Sequence, residues 1–273
     1  MPSKIEWTDE VWNPVTGCTP VSEGCRNCYA KRMAHRLAGR YGYPKEPREF
    51  DVTLRPERLE QPLRWRKPRR VFPCSMSDLF HKGIPPWFVC EVWRVMRECP
   101  QHTFQILTKR PGRMLRLIKT YIADHEFGVR PLPNVHLGVS VENQATADER
   151  REYLRQCPAA VKYVSYEPAL GPVDWTGWEF VSQIISGGES GPGARPSHPD
   201  WHRVTRDFCQ ENGIAYFMKQ WGHWQPVDQS NELVPGNTRE YTWEDGTISF
   251  AIGKHAAGHL LDGRTWQEFP KCS

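Results

Sequence analysis

Six short apolar runs set the main constraint on how this chain can fold. Residues 71–75, 103–107, 135–139, 161–165, 180–186 and 214–218 are rich in β-branched and aromatic side chains, and about 20 to 35 residues separate one from the next. That interval fits a strand followed by a helix. The segments 86–98, 112–121, 145–156 and 200–212 carry helical periodicity or capping residues. Apolar strands alternating with helices predict a parallel sheet covered by helices. No Gly-x-Gly-x-x-Gly follows the first strand, which disfavours a dinucleotide-binding sheet. The expected fold is α/β, a full or partial (βα) barrel of about six to seven parallel strands. An open doubly wound sheet is the alternative.

A first strand within residues 1–16 is expected to lead into a loop from Gly17 to Cys28. Its three cysteines stand in a C-x6-C-x2-C spacing, and Gly17, Pro20 and Gly24 let it curl. Residues 29–39 read as a helix that ends near Gly39. Residues 40–63, rich in proline and charge, read as irregular or a short helix. Residues 1–222 form the expected barrel, and residues 223–273 an appendage packed on it. Within the appendage, Glu244-Asp245-Gly246 reads as a hairpin turn between 241–243 and 247–252.

Three thiolates on one curled loop, Cys18, Cys25 and Cys28, can hold three irons of a [4Fe–4S] cluster and leave the fourth open to a substrate. Structural zinc is the alternative, with His35 as fourth ligand, an awkward reach two helical turns beyond Cys28. Cys74, Cys90, Cys99, Cys157 and Cys209 occur singly in apolar surroundings and read as packing residues. Cys74, at a strand end, is the one of these placed to face a site. Cys272 reads as a tail thiol.

Barrel active sites sit at the C-terminal ends of the strands. After the apolar runs come Ser75-Met-Ser77-Asp78, Thr108-Lys109-Arg110, Ser140-Val-Glu142-Asn143, Tyr166-Glu167, Gly187-Gly188-Glu189-Ser190 and Lys219-Gln220. Six polar groups converging on one rim are costly to desolvate unless they pair with each other or with a polar ligand. Lys109, Glu167 and Lys219 are candidates for acid, base or anion clamp. A buried ion-pair ring that only fixes the barrel is the bland reading of the same residues. Arg64, Arg66, Lys67, Arg69 and Arg70, around Trp65, can grip a phosphate backbone and stack a base, or form a solvated face. Trp7, Trp12, Trp221 and Trp224 read as core.

The cysteine loop, with Tyr29 directly after its last cysteine, resembles that of the radical S-adenosylmethionine (SAM) superfamily, whose usual spacing is C-x3-C-x2-C. The whole chain resembles a phage-associated three-Cys family within it, through phrases that include 12–18, 75–80, 107–111, 138–143, 167–171, 187–191 and 219–222. The resemblance implies a [4Fe–4S] cluster on Cys18, Cys25 and Cys28 that passes an electron to SAM. The 5′-deoxyadenosyl radical so formed takes hydrogen from a substrate. It further implies SAM contacts by Tyr29 and by the strand ends. Ser75, Ser77 or Asp78 would receive the amino group or ribose, and Ser140 and Glu142 the ribose or sulfonium end. Gly187, Gly188 and Glu189 lie too late in the chain for the superfamily's usual Gly-Gly-Glu role. They fit a tight backbone approach to phosphate or adenine.

The formal charge of +4 suits a nucleobase, nucleotide or nucleic-acid substrate. A reductant protein such as a flavodoxin or ferredoxin is the implied partner. Nine cysteines, an odd number, without a signal peptide place the chain in a reducing cytoplasm. No run of about 18 apolar residues is present to span a membrane. Two other readings stay open, a zinc- or cluster-stabilised nucleic-acid-binding module without turnover, and an enzyme that cleaves another carbon–sulfur bond of SAM.

Overall fold

The computed structural model describes residues 5–122, 130–229 and 237–270; Cys272 lies outside them. Seven strands form one parallel sheet in sequence order. They are β1 Glu10–Trp12, β2 Arg70–Pro73, β3 Thr103–Thr108, β4 Val135–Val141, β5 Val161–Tyr166, β6 Gln183–Gly187 and β7 Ala215–Gln220. The order has two ends, so the fold is a partial (βα) barrel. β4 is buried along its whole length, as expected of a strand covered on both faces.

The helices are α1 Tyr29–Arg36, α2 Pro86–Glu98, α3 Pro111–Leu117, α4 Gln144–Gln156 and α5 Pro199–Glu211. Three begin with proline, whose fixed φ and missing N–H suit the first helical position. α2 buries Phe88, Val89, Val92, Val95 and Met96 at helical spacing. Each such side chain is worth about 1.5–3 kcal/mol when fully removed from water. At the start of α5 the His198 ring accepts a hydrogen bond from the Asp200 backbone N–H, capping an otherwise unpaired donor.

Two compact units are present. One gathers the chain up to Ser22 with Cys28–Val139 and Arg150–Lys162, and the other gathers Glu23–Asn27, Ser140–Glu149 and the chain from Tyr163 on. In the second, β8 Trp224–Pro226, β9 Glu240–Thr242 and β10 Ile248–Ala251 make an antiparallel sheet in the order β8-β10-β9. The hairpin expected at Glu244–Gly246 is present, closed by the Trp243 N–H to the Thr247 carbonyl at 2.8 Å. The last described residues cover the edge of β7. Phe217 pairs with Gln267, and the Met218 N–H reaches the Trp266 carbonyl at 2.8 Å. An otherwise unpaired strand edge is thereby closed.

Some boundaries differ from expectation for local reasons. α1 stops at Arg36 rather than Gly39, because the Leu37 N–H is shared between the Met33 and Ala34 carbonyls as the helix tightens. β6 starts at Gln183 rather than 180, because Trp178 to Val181 close a turn with Phe180 stacked on Trp178. Residues 40–63 hold a short strand, Thr53–Leu54, paired with Val15–Thr16, and single 3-10 turns at Pro56–Arg58 and Pro62–Arg64. The basic run is partly neutralised, since Arg69 pairs with Glu10 at 3.2 Å and Arg70 with Asp9 at 3.0 Å. Arg69 also lies over Trp65, which is therefore engaged within the fold. Trp7, Trp12, Trp221 and Trp224 are buried.

Burial lowers the pKa of His136 to about 4. It takes His202 to about 3, with a further push from His198. His81 and His102 shift the same way, again chiefly through burial. Each folded value lies below the ordinary ~6.5, so below that pH the unfolded chain binds protons that the native state refuses. Stability is then unaffected above about pH 6.5 and declines as pH falls, by up to about 1.4 kcal/mol per pH unit per histidine. Urea denaturation between pH 7.5 and 5 is expected to show this decline. His136→Leu should remove its own share of the slope.

Candidate metal and cofactor centre

In the first unit, the entry to the cysteine loop is tied to the tip of β2. The Gly17 N–H donates to the Met76 carbonyl at 2.9 Å, and the Ser77 hydroxyl donates to the Gly17 carbonyl at 2.6 Å. Gly17 has φ +84°, and a Cβ there would stand 2.1 Å from the Asp51 carbonyl oxygen, so no other residue fits. Ser75 exchanges hydrogen bonds with the Asn13 side chain at 3.2 Å, and its carbonyl accepts from the Tyr29 hydroxyl. The hydroxyls of Ser75 and Ser77 and that of Tyr29 thus brace the loop.

Asp78 is the hub of this unit's strand tips. Its carboxylate accepts from the Thr108 hydroxyl at 2.8 Å, the Phe80 N–H at 2.9 Å, the Lys109 N–H at 3.1 Å and Arg110 Nη1 at 2.9 Å. Arg110 then reaches the loop. Nη1 lies 3.4 Å from Cys18 Sγ, and Nη2 donates to the Thr19 carbonyl at 2.7 Å. A guanidinium held against a sulfur favours the thiolate that a metal requires. Lys109, expected to be catalytic, is half-buried beside this pair. Cys28 stands at the N-cap of α1, where backbone N–H groups favour negative charge.

In the second unit, Cys25 ends a 3-10 turn, Glu23–Cys25. Gly24 is packed so closely that a Cβ would lie 2.6 Å from the Glu142 side chain. The Asn27 amide donates to Glu189 Oε2 and to the Gly193 carbonyl, both at 2.8 Å. Arg195 donates to both oxygens of Glu189 at 2.7 and 2.9 Å, and to the Glu23 carbonyl at 3.1 Å. Glu189 is buried. Burial alone would raise its pKa, but the hydrogen bonds from Arg195 and Asn27 outweigh that and hold it below the usual carboxylate range. Glu189 is therefore a positioning residue for the Cys25–Cys28 turn. Lys219 Nζ lies 2.9 and 3.0 Å from the two oxygens of Glu167, and both side chains are largely buried. Ser140 and Glu142 are buried at the tip of β4.

The two glycines are closely packed by protein atoms on the side a Cβ would take. A Cβ on Gly187 would meet Glu167 Oε1 at 2.8 Å, and one on Gly188 would meet the Trp221 carbonyl oxygen at 2.0 Å. Both are small because protein atoms already occupy the space.

The thiols divide sharply. Cys74, Cys99, Cys157 and Cys209 are buried, and burial raises their pKa, that of Cys157 to about 12. Cys74 therefore packs inside rather than facing a site, while Cys90 is half-buried on α2. Cys18, Cys25 and Cys28 are half-buried and in no disulfide among the described residues, which fits them as ligands. His35, the candidate fourth ligand for zinc, instead faces Glu46 at 3.2 Å and Glu49 at 3.5 Å. Arg110 and Asn27 were not singled out by sequence. Arg110 ends the strand-tip phrase after Thr108, and Asn27 lies inside the Cys25–Cys28 spacing, so position was the available signal.

A family match covers residues 2–270. The chain belongs to the family described as "protein of unknown function (DUF5131)". No curated protein matches it. Among solved structures, this DUF5131 chain is similar to spore photoproduct lyase complexed with dinucleoside spore photoproduct, with TM-score 0.39 and 10% identity over 87% of this chain and 66% of that one. A mutant of the same lyase with bound AdoMet and dinucleoside spore photoproduct gives TM-score 0.40 and 9% identity, over 88% and 67%. The DUF5131 chain thus spans about two thirds of the length of these lyase chains. Among the described residues no helix is long and apolar enough to cross a membrane.

Glu189→Gln should lower stability at pH 7 by about 2–3 kcal/mol, since it leaves Arg195 without its carboxylate. Because the folded pKa is depressed, the native contribution is full above about pH 4.3 and lost as pH falls through the lower folded value. Urea titrations should show the gap between wild type and variant closing below about pH 4.

Proposed function

We propose that this DUF5131 protein is a radical SAM enzyme that binds a [4Fe–4S] cluster through Cys18, Cys25 and Cys28. The observation that carries the reading is the chemistry of the three thiols. They are half-buried on one loop, in no disulfide among the described residues, and Cys18 has the Arg110 guanidinium 3.4 Å from its sulfur. The partial barrel and the spacing of the cysteines support it. When bound, the cluster supplies the electron that splits the sulfonium of SAM.

The chain's own residues orient and insulate. Asp78 holds Arg110, which offsets negative charge at Cys18. Glu189 and Arg195 fix the turn that carries Cys25 through Asn27 and the Glu23 carbonyl. Asp78 and Glu189 are committed to internal cations, and Ser140, Glu142 and Tyr29 are further proposed contacts to SAM. Glu167 and Lys219 neutralise each other, so a charged substrate group that engages one frees the other to move a proton. Lys109 is the proposed third member of that catalytic set. A nucleobase, nucleotide or nucleic acid is the proposed substrate class, and a flavodoxin or ferredoxin the proposed electron donor in a cytoplasmic setting.

Anaerobic reconstitution should give a brown protein with about four irons per chain that forms 5′-deoxyadenosine from SAM on reduction. Cys18→Ser, Cys25→Ser and Cys28→Ser should each abolish iron retention. A colourless, zinc-loaded protein that leaves SAM intact sinks the proposal in favour of a metal-stabilised binding module. Arg110→Gln should retain the fold but lose iron to a chelator about tenfold faster, the usual scale for a group that supports a ligand.

A further inference from the structure

The inner side of α1 and its outer side differ completely. Ala30 and Ala34 are buried against Tyr43 and Met76, and their small size lets the helix sit close to the core. Lys31 and Arg36 point to solvent, followed by exposed Arg40 and Lys45 in the next turn. The ion pairs of this segment join His35 to Glu46 and Glu49, and Arg48 to Asp51. Among the described residues none engages Lys31, Arg36, Arg40 or Lys45.

Tyr41 falls between Arg40 and Lys45 in the sequence, in the turn that follows α1. It is 77% exposed, and its φ of +50° lies in the left-handed region that favours glycine. Among the described residues two other non-glycines have positive φ, Cys74 and Asp262. Cys74 is buried in the core, and Asp262 accepts from Arg203, Arg206 and Gln229. Each of those side chains is used inside the protein, whereas the Tyr41 ring is held out in water. Beneath it, a Cβ on Gly42 would lie 2.2 Å from Arg55 Nη1, so the turn is pressed onto a buried guanidinium. Arg55 lacks a partner for Nη2, and Arg58 Nη2 donates to the Tyr41 carbonyl at 3.2 Å.

We infer that the outer face of α1 and the Tyr41 turn grip a single strand of nucleic acid, with Tyr41 as a stacking platform and Lys31, Arg36, Arg40 and Lys45 along the phosphates. Cations beside an exposed aromatic ring are the combination that holds single strands without reading their sequence. A membrane surface fits less well, because Ala30 and Ala34 are already buried and the exposed apolar side chains of α1 are two, Tyr29 and Met33, too few for an inserting face. The inference takes from the proposed function only the class of substrate, and needs neither cluster nor SAM.

The test is fluorescence anisotropy of a labelled single-stranded oligonucleotide of about a dozen nucleotides with the full chain, at several salt concentrations. Tyr41→Gly is expected to weaken binding about tenfold while the melting temperature stays level or rises, since glycine accepts the left-handed backbone. Substituting Lys31, Arg36 and Arg40 together by glutamine should reduce the salt slope by about 2, near 0.7 per lost phosphate contact. The same change at Arg64, Arg66 and Lys67 should leave both affinity and slope as in wild type. Wild-type affinity in Tyr41→Gly, an unchanged slope in the triple variant, or tighter binding to anionic vesicles or to an acidic peptide than to the oligonucleotide would each overturn the inference. Because SAM cleavage is measured separately, failure here and failure of the cluster assignment are told apart.

Discussion

Buried carboxylates at the strand tips must be neutralised, and much of the local order around the cysteine loop follows from how that is done. Asp78, Glu167 and Glu189 each sit largely out of water. An unpaired charge there would be several kcal/mol unfavourable, enough to consume much of a domain's stability. Asp78 is matched by Arg110, Glu167 by Lys219 and Glu189 by Arg195. The two arginines send further donors to the loop, Arg110 to Thr19 and Cys18, Arg195 to the Glu23 carbonyl. Arginine suits this because its planar fork serves a carboxylate and a second acceptor at once. Lysine at position 219 pairs with both oxygens of Glu167.

Sequence made the sheet legible because parallel strands covered on both faces are apolar along their length. Residues 135–139 lie inside β4, 161–165 inside β5 and 103–107 inside β3. The short first strand was findable only from its place before the cysteine loop, since three residues carry no periodicity. The ends of β6 and α1 were misjudged where local turns, held by Trp178 and by Leu37, outweighed the apolar pattern. The hairpin at Glu244–Gly246 was readable because its turn chemistry is local.

Pairing between residues distant in sequence was not legible. Nothing in the phrase around Ser75 to Asp78 says that Arg110 will neutralise Asp78, or that Asn13 will meet Ser75. Charged residues at strand ends therefore looked equally available for a ligand, when several are consumed within the protein. The Gly187-Gly188 pair is ambiguous in the same way. A glycine pair signals close approach, but the sequence does not say whether a cofactor or the Trp221 carbonyl does the approaching.

The cysteines show how burial sorts one residue type into two chemistries. A thiol in apolar surroundings resists losing its proton, and Cys74, Cys99, Cys157 and Cys209 are all in that state. They are inert fillers of small gaps. Cys18, Cys25 and Cys28 keep partial exposure because prolines, glycines and polar contacts hold their loop against the strand tips rather than in the core. A loop that buried these sulfurs would gain apolar contact and close them to a ligand. Where the loop keeps its exposure, arginines meet it at Cys18, at Thr19 and at the Glu23 carbonyl.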